Sequence, residues 1–467
     1  MALSVEHTAV PGLLVVRLPV HGDARGWFKE NWQREKMTAL GLPDFGPVQN
    51  NISFNAHRGA TRGIHAEPWD KFVSVATGRV FAAWVDLREG DSFGSTFHVE
   101  IGPDTAVFVP RGVANAYQAL EDGTAYSYLV NDHYVAGRSY PALNLADETA
   151  AIPWPIPLDS PEVEVSEKDR GNPRLRDVTP MTPRKTLITG AKGQLGRAFA
   201  ALYPDATLVD LEELDLTDEA AVRSLPWRDY DLVLNCAAFT AVDAAEQPDG
   251  RRAAWAANAT APALLARVAS EHRLTLVHFS SDYVFDGQHV EGGHTEEEPF
   301  APLGVYAQSK AAGDLAVAST PRHYVVRTSW VIGEGGNFVR TMKRLAESGV
   351  SPSVVDDQVG RLTFTDELAR ATRHLLTTGA PYGTYNVTNA GEPRSWAGYA
   401  RRVFELCGRD PADVTPVSTA EYVADRPGVS PRPAFSVLSL AKIRATGFEP
   451  TDADEALEKY LAADSPT

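Results

Sequence analysis

A glycine-rich turn deep in the chain constrains the fold most. Leu187 and Ile188 end an apolar, strand-like run, and Gly190, Gly193 and Gly196 follow in the spacing Gly-x-x-Gly-x-x-Gly. Glycines at this spacing permit a tight turn, close approach of the backbone to a pyrophosphate, and a helix whose N-terminus faces that anion. The pattern predicts the start of a dinucleotide-binding βαβ unit, and the long stretch before it must therefore fold as a separate domain.

The composition is typical of a globular protein with more than one domain. A chain of 467 residues is too long for one hydrophobic core, and 43% hydrophobic with 22% charged residues is typical of soluble proteins. The net charge of -17 argues against a nucleic-acid partner, because phosphate backbones require basic surfaces. We find no signal-peptide pattern and no apolar run of about 18 residues, which predicts no membrane span. The two cysteines, Cys236 and Cys407, are too few for a disulfide framework and indicate the reducing cytosol.

Two patterns of secondary structure divide the chain. In the first third, short apolar runs alternate with Gly, Asp and Pro, which predicts an antiparallel β-barrel or sandwich with one convincing helix at Gln33 to Leu40; the clearest strands are 13–18, 79–87, 106–110 and 125–130. Later, strand-like runs alternate with helical stretches, which is typical of a parallel α/β sheet; the strands are 185–189, 231–235, 274–280 and 323–328, and the helices 253–271 and 309–318. The segment 179–184 is predicted to be a linker between domains 1–178 and 185–467.

A tyrosine and a lysine four residues apart, Tyr306 and Lys310, are candidates for proton transfer in the second domain. At i,i+4 on a helix the ammonium faces the phenol and is predicted to lower the tyrosine pKa from about 10 towards neutrality. Such a phenol can donate a proton to a carbonyl oxygen while hydride arrives at the carbon. Ser281, which ends the preceding strand, would hold that oxygen.

Residues 185 to 462 resemble dTDP-4-dehydrorhamnose reductase, an extended short-chain dehydrogenase/reductase. The matching stretches are 190–196, 235–246, 281–287, Tyr306 with Lys310, 327–330, 357–360 and 432–436. The resemblance implies a Rossmann-type α/β domain with a small C-terminal substrate subdomain. It also implies NADPH or NADH as the cofactor, and the sequence leaves this choice open because it shows no clear arginine pocket for a 2′-phosphate.

The same resemblance implies the functional residues of the second domain. Ser281, Tyr306 and Lys310 would be catalytic, with Asn258 supporting them. Asp282, Trp330 and Arg432 would face the sugar nucleotide, although core packing is the alternative for Trp330. The cofactor-binding residues would be Gly190, Gly193, Gln194, Leu195, Gly196, Asp215, Leu216, Ala237, Ala238, Thr240, Tyr306 and Lys310.

The first domain has its own candidate base, His65, in the run Arg62-Gly63-Ile64-His65. A metal-binding cupin is one interpretation, but the segment reads His65-Ala66-Glu67 without a second histidine, so the ligand set is incomplete and no metal is predicted. Residues 1 to 178 instead resemble dTDP-4-dehydrorhamnose 3,5-epimerase, an enzyme with a cupin-type antiparallel β-barrel (jelly roll). The matching stretches are 23–30, 62–65, 78–81, 85–88, 110–112 and 165–169.

Epimerisation next to a ketone requires a base, a cation for the enolate, and an acid on the opposite face. The resemblance assigns these roles to His65 with Asp169, to Lys71 and to Tyr128, and it implies a homodimer formed through this domain. Asn115 stands where many members have histidine, which puts the proton relay in question. Arg25 and Arg62 suit a diphosphate, since planar guanidinium groups bind it bidentately. The thymidine end is expected to contact Phe28, Glu30, Gln49, Asn51 and Tyr134.

The two resemblances together predict a cytoplasmic, bifunctional enzyme of dTDP-L-rhamnose synthesis. The first half would convert dTDP-4-dehydro-6-deoxy-D-glucose to dTDP-4-dehydro-L-rhamnose, and the second would reduce its C4 ketone with NADPH or NADH. Fusion would keep the activities equimolar and raise the local concentration of the intermediate. Two alternatives stay open. One half could be non-catalytic, as a cupin scaffold or a nucleotide-binding regulatory module, or the product could be a different dTDP-deoxysugar.

Overall fold

The structure, a computed structural model, describes residues 2–134 and 140–463. The chain divides into two compact units, Met1–Pro183 and Arg184–Thr467. The predicted linker differs from the structure at residues 179–182, which lie with the first unit because Met181 pairs with its backbone. The Met181 amide donates to the carbonyl of Leu87 at 2.7 Å, and the Glu89 amide donates to the carbonyl of Met181 at 3.0 Å. No helix in the described part of the chain is long and apolar enough to cross a membrane.

The first unit consists mainly of antiparallel strands, which confirms the predicted barrel. One sheet has the strand order β1-β2-β10-β7-β12-β5, the other has the order β6-β11-β8-β9, and β3 and β4 form a separate hairpin. The strands are β1 (Ser4–His7), β2 (Leu14–Arg17), β3 (His21–Asp23), β4 (Gly26–Phe28), β5 (Gln49–Asn55), β6 (Thr61–His65), β7 (Lys71–Thr77), β8 (Val80–Asp86), β9 (Thr96–Ile101), β10 (Thr105–Val109), β11 (Val113–Ala119) and β12 (Thr124–Val130), and the helices are α1 (Arg34–Ala39) and α2 (Glu167–Arg170).

The core of this unit lies between its two sheets. Val73 and Tyr126 of the first sheet pack with Trp84 and Tyr117 of the second, and all four side chains are buried. Alternate residues of a strand point to the same face, so the intervening side chains face away from this core. Tyr128, two residues after Tyr126, lies on the core face, and with Tyr117 and Tyr126 it lines the cavity described below.

The second unit contains a parallel sheet with the order β14-β13-β15-β16-β17-β22, which confirms the predicted α/β fold. Its strands are β13 (Lys185–Thr189), β14 (Thr207–Val209), β15 (Tyr230–Asn235), β16 (Thr275–Ser281), β17 (His323–Thr328), β18 (Val331–Ile332), β19 (Ser353–Val355), β20 (Val359–Gly360), β21 (Thr363–Phe364), β22 (Gly383–Asn386), β23 (Arg394–Ser395) and β24 (Thr415–Val417). Its helices are α3 (Gln194–Leu202), α4 (Glu219–Ser224), α5 (Pro248–Trp255), α6 (Ala261–His272), α7 (Val305–Ala318), α8 (Phe338–Glu347), α9 (Thr365–Thr378), α10 (Trp396–Leu406), α11 (Thr419–Val423), α12 (Ala441–Ala445) and α13 (Ala453–Ala463).

Apolar layers cover both faces of this sheet. Leu187 of β13 packs into one layer and its neighbour Ile188 into the other, because successive strand residues point to opposite faces. A third cluster joins α8, α10 and α13 into a small subdomain. In the sheet, β13 has β14, the next strand of the chain, on one side and β15 on the other, so the direction of strand addition reverses at β13. Ligands of such sheets bind at this reversal, outside the carboxyl ends of the strands.

Candidate active sites

The first unit contains a cavity of about 670 Å³ that is lined by residues of both sheets. Strands β6, β7, β11 and β12 and the segment around α2 supply its side chains. Five residues that the sequence analysis selected line it together: Arg62, His65, Lys71, Tyr128 and Asp169. The fold thus brings the expected base, cation and acid into one cavity.

His65 and Asp169 form a hydrogen-bonded pair in this cavity. Nε2 of His65 lies 2.7 Å from Oδ1 of Asp169, and the histidine side chain is 37% exposed while the carboxylate is 7% exposed. Ser166 caps α2 through the amide of Asp169 and so fixes the position of the carboxylate. Burial by itself raises the pKa of Asp169, but hydrogen bonding and charge from His65 outweigh it and lower the pKa. The ionised carboxylate can orient the imidazole and stabilise its protonated form.

Lys71 and Tyr128 lie close to a carboxylate that the sequence analysis gave no role. Lys71 is almost fully buried and forms an ion pair with Glu67, and its Nζ donates to Oδ1 of Asn115 at 2.5 Å. Burial raises the pKa of Tyr128, and the charge of Glu67 raises it further. The i,i+4 spacing of Glu67 and Lys71 was visible in the sequence, but the chain between them is not helical.

Six further residues selected for this unit are absent from the cavity lining, as far as the described residues show: Arg25, Phe28, Glu30, Gln49, Asn51 and Tyr134. Arg25 is 90% exposed and pairs with Asp23 at 2.5 Å on the β3–β4 hairpin. Phe28 is 66% exposed on the same hairpin, and Tyr134 is 59% exposed. The Gln49 amide donates to Oδ1 of Asn51 at 2.8 Å on the edge strand β5. The chain alone therefore does not assemble the expected nucleotide-binding set.

The glycine turn of the second unit borders a cavity of about 650 Å³. Gly190 has φ +63°, and a Cβ there would lie 2.6 Å from the amide nitrogen of Ala237. A Cβ on Gly196 would lie 2.2 Å from the carbonyl oxygen of Gly190. The turn and the β15 loop are therefore packed backbone to backbone, as a cradle for a dinucleotide requires. Of the expected cofactor residues, Gly190, Gly193, Asp215, Leu216, Ala237 and Ala238 line the cavity.

The other expected cofactor residues lie near this cavity without lining it, again as far as the described chain shows: Gln194, Leu195, Gly196, Thr240, Tyr306 and Lys310. Gln194 begins α3 and accepts a hydrogen bond from the amide of Gly333 at 2.8 Å. Thr240 follows Phe239, whose backbone is held by Asn258. The sequence analysis missed Asp210, which ends the second strand and lines the cavity.

Three acidic residues contact Lys192 of the glycine turn, Asp210 at its backbone amide and Glu212 and Glu213 at its ammonium. Oδ2 of Asp210 accepts from the backbone amide of Lys192 at 2.8 Å. Nζ of Lys192 lies 2.6 Å from Glu212 and 3.1 Å from Glu213, and these carboxylates raise the pKa of the lysine. An acidic residue at the end of the second strand, about 20 residues after the first glycine, is the usual partner of a ribose 2′-hydroxyl.

The three expected catalytic residues of the second unit converge at the carboxyl end of β16. The hydroxyl of Ser281 lies beside the phenol of Tyr306, and Lys310 donates from Nζ to the carbonyl oxygen of Phe279 at 2.6 Å. The ring of Tyr283 packs edge-on against that of Tyr306, with the ring centroids 5.8 Å apart. Tyr283 was not selected from the sequence, although it lies within the matching stretch 281–287.

The predicted lowering of the Tyr306 pKa is wrong for this structure. Burial raises the pKa of Tyr306 above its ordinary value, and the neighbouring carboxylate of Asp282 raises it further. The ammonium of Lys310 donates to the backbone of β16. Burial also lowers the pKa of Lys310 to about 8, against a smaller opposing effect of Asp314. The phenol therefore keeps its proton at neutral pH, as a proton donor requires.

Asn258 supports this site from a wide turn between α5 and α6. Residues Ala256–Thr260 form a π-helical turn, a feature frequent at functional sites. Oδ1 of Asn258 accepts from the Phe239 amide at 2.8 Å, and Nδ2 donates to Oγ of Ser309 at 3.0 Å. The side chain thus ties the cofactor loop to the helix that carries Tyr306 and Lys310.

The three expected substrate residues of this unit have different surroundings. Asp282 is buried beside Ser281, and burial raises its pKa to about 6. Arg432 pairs with Asp243 at 2.9 Å and lies beside Tyr283, whose ring contacts that of Tyr306. Trp330 stacks on Trp396 with ring centroids 3.7 Å apart and packs over Gly360, which favours its alternative role in the subdomain core.

These two sites define the class of protein. An antiparallel barrel with a His–Asp pair facing a lysine and a tyrosine is suited to proton transfer beside a carbonyl, and a dinucleotide fold with Ser, Tyr and Lys is suited to carbonyl reduction. The family described as dTDP-4-dehydrorhamnose 3,5-epimerase matches residues 7–177, and the family described as RmlD substrate binding domain matches residues 184–465. The chain belongs to both families, as an epimerase–reductase fusion.

Individual relatives match one half each. Protein RmlC homolog of Streptococcus pyogenes is 47% identical over 186 residues, which is 38% of this chain and 92% of that protein. dTDP-4-dehydrorhamnose reductase of Mycobacterium tuberculosis is 40% identical over 279 residues, which is 57% of this chain and 88% of that protein. The crystal structure of dTDP-4-dehydrorhamnose reductase from Bacillus anthracis in complex with NADP is 32% identical, with a TM-score of 0.55, and the match covers 61% of this chain and 100% of that one.

Proposed function

We propose that the chain catalyses two consecutive steps of dTDP-L-rhamnose synthesis. The first unit epimerises dTDP-4-dehydro-6-deoxy-D-glucose at C3 and C5, and the second reduces the C4 ketone of the product with NADPH or NADH. The observation that carries this proposal is that one chain holds both a complete proton-transfer set, His65 with Asp169 and Tyr128, and a complete carbonyl-reduction set, Tyr306 with Ser281.

In the first unit, His65 removes a proton from the carbon next to the ketone, and Asp169 stabilises the imidazolium that forms. The ammonium of Lys71 stabilises the enolate oxygen at C4. Tyr128 then donates its phenolic proton to the opposite face of the carbon. The same groups serve C3 and C5, because both carbons are acidified by the one ketone between them.

In the second unit, the cradle of Gly190, Gly196 and Ala237 and the adjoining cavity fit a nicotinamide dinucleotide. The bound cofactor supplies hydride to C4. The hydroxyl of Ser281 holds the ketone oxygen, and Tyr306 donates the proton that this oxygen requires. Lys310 is held at the same end of β16 by its hydrogen bond to the carbonyl of Phe279.

The experiment that tests the function is identification of the product. The pure chain is incubated with dTDP-4-dehydro-6-deoxyglucose and NADPH or NADH, and the sugar is identified by NMR. dTDP-L-rhamnose is the expected product. A different deoxysugar would contradict the assignment of stereochemistry, and an absent reaction would favour a non-catalytic half.

We also propose that the first unit forms a homodimer that completes its own site. The nucleotide-binding set lies partly on the exposed β3–β4 hairpin, where Arg25 and Phe28 do not reach the cavity of their own chain. The edge strand β5 also exposes Ile52 and Phe54, which are 67% and 63% exposed. A second copy packed on β5 would cover these apolar side chains and could bring a hairpin to each cavity.

The two units are expected to fold and act separately when the chain is cut after Pro183. Each has its own core, and the pairing of Met181 with Leu87 stays within the first piece. The piece 1–183 should exchange the C3 and C5 protons for deuterium and elute as a dimer, while 184–467 should reduce only pre-epimerised ketone. Aggregation or inactivity of either piece, with the intact chain active, would contradict independent domains.

NADH is expected to be used with a kcat/KM about tenfold higher than NADPH, which corresponds to about 1.4 kcal/mol. The 2′-phosphate of NADPH would meet the carboxylate of Asp210 in the cavity lining, and the nearby cation Lys192 is already paired with Glu212 and Glu213. Steady-state kinetics with both cofactors measure the ratio, and Asp210→Ser should move it towards NADPH. Asp205→Ser, an exposed aspartate outside the cavity, is the matched control. An unchanged ratio in Asp210→Ser would exclude this explanation.

We place the enzyme in the cytosol. This placement is supported by the two cysteines, Cys236 and Cys407, which are free thiols rather than a disulfide. Nucleotide sugars and reduced nicotinamide cofactors, the proposed substrates, are also available there.

A further inference from the structure

Glu67 is a buried carboxylate at the centre of the barrel cavity that the proposed mechanism does not use. Its side chain is 18% exposed, and it is ion-paired with Lys71, which is 5% exposed. Lys71 also donates to Asn115 at 2.5 Å. The three side chains come from β7, β11 and the segment after β6, so the barrel fold alone brings them together.

We propose that Glu67 is a positioning residue of the epimerase site, which fixes the ammonium of Lys71 and places a negative charge beside Tyr128. The inference rests on the epimerase function proposed above. It adds a residue that acts through the cation and the acid of that reaction, without itself contacting the reacting carbons.

Fixing the ammonium matters because lysine is a point charge on a flexible four-carbon stem. A cation stabilises an enolate best when it is already in place as the charge develops. The ammonium has three N–H donors. Within the described residues, Asn115 accepts a hydrogen bond from one of them, and Glu67 holds the ammonium through an ion pair. Asn115 suits this arrangement, since a neutral amide accepts from Lys71 without adding charge.

The charge of Glu67 also acts on the expected acid. Burial raises the pKa of Tyr128, Glu67 and Tyr117 raise it further, and Arg62 lowers it. A raised pKa keeps the phenol protonated at neutral pH, the form that can donate a proton. The other titratable and charged groups that line the same cavity are His65, Lys71, Tyr126, Glu164, Asp169 and Arg170.

The test is Glu67→Gln in the full chain, which keeps the size of the side chain and removes its charge. The rate of deuterium uptake at C3 and C5 of dTDP-4-dehydro-6-deoxyglucose is measured by NMR against pH. We expect kcat to fall by about 10- to 100-fold, because a misplaced catalytic group costs a factor of this order. We also expect the alkaline decline of the rate to begin at lower pH, because Tyr128 loses its proton more easily without the neighbouring charge.

Two further variants separate contact from charge. Asn115→Ala removes the other contact of Lys71 without removing a charge. It should therefore lower kcat but leave unchanged the pH at which the exchange rate begins to fall on the alkaline side. Glu100→Gln neutralises an ion-paired glutamate of β9 outside the cavity and should match the wild type. Reduction of pre-epimerised ketone by each variant confirms that the chain is intact.

The outcomes are distinguishable. The inference would be overturned if Glu67→Gln had the wild-type kcat and the same pH of alkaline decline as the wild type. The proposed epimerase function would then still stand. If Glu67→Gln does not fold, Glu67→Asp decides, since it keeps the charge but shortens the side chain, and a wild-type kcat in that variant would show that Glu67 does not fix the ammonium. If the wild-type chain exchanges no protons, the proposed function itself fails.

Discussion

Tyr306→Phe should lower the rate of ketone reduction by about 10²–10⁴-fold, the usual contribution of a general acid or base. The phenol is the proposed proton donor at the carboxyl end of β16, where it lies beside Ser281. Phenylalanine keeps the ring and its edge-on contact with Tyr283. Only the transferable proton is lost, so the Kd for the nicotinamide cofactor should change little. Stopped-flow reduction of pre-epimerised ketone and fluorescence titration of the cofactor measure the two quantities.

The control for this prediction is Tyr324→Phe. Tyr324 is also a buried tyrosine of the second unit, and its hydroxyl donates to the carbonyl of Ala380 at 2.5 Å, away from the cofactor cavity. This variant should reduce ketone at the wild-type rate. Proton exchange by the first unit provides a second reference within the same molecule. Near-normal reduction by Tyr306→Phe would refute the role assigned to the phenol.

His65→Ala should abolish proton exchange at C3 and C5, with a loss of about 10²–10⁴-fold. The variant removes the base that Asp169 holds at 2.7 Å. The rate of cofactor oxidation with dTDP-4-dehydro-6-deoxyglucose as the substrate should also fall sharply, because the second unit is expected to reduce the epimerised ketone. Adding a separate active epimerase should restore oxidation. The measurements are deuterium uptake by NMR and absorbance at the nicotinamide band.

His57→Ala is the matched control, since His57 is exposed on the barrel surface outside the cavity. It should leave both activities at the wild-type level. High cofactor consumption by His65→Ala, with an unepimerised sugar as the product, would mean that the two units do not act in sequence.

The backbone elements of both units were predictable where apolar periodicity was strong. The strands 185–189 and 323–328 match β13 and β17, and the helix predicted at Gln33 to Leu40 is found as Arg34–Ala39. The polar edge strand β5 and the short strand β14 were missed, because neither carries a continuous apolar run. Residues 179–182 were predicted to be linker because two prolines and no periodicity occur there, whereas their backbone pairing with Leu87 depends on a distant strand.

The sequence predicted those site residues that belong to recognisable short motifs. His65, Lys71, Tyr128 and Asp169 share one cavity, although more than 100 residues separate the histidine from its aspartate. Glu67 belongs to no motif that stood out in the sequence and acquires its role from Lys71, whereas the position of Asp210, about 20 residues after Gly190, was a signal that the sequence analysis did not use.

The sequence by itself determined the two-enzyme organisation, the class of each fold and the residue types needed for each reaction. These properties follow from local pattern: glycine spacing, apolar periodicity and short motifs. Only the tertiary structure decided the protonation of Tyr306. The i,i+4 spacing suggested that Lys310 lowers the phenol pKa, but burial and Asp282 raise it, and the ammonium is bonded to Phe279 instead. Spacing along a helix brings two groups to one face, whereas a pKa depends on burial and on every charge that the whole fold places nearby.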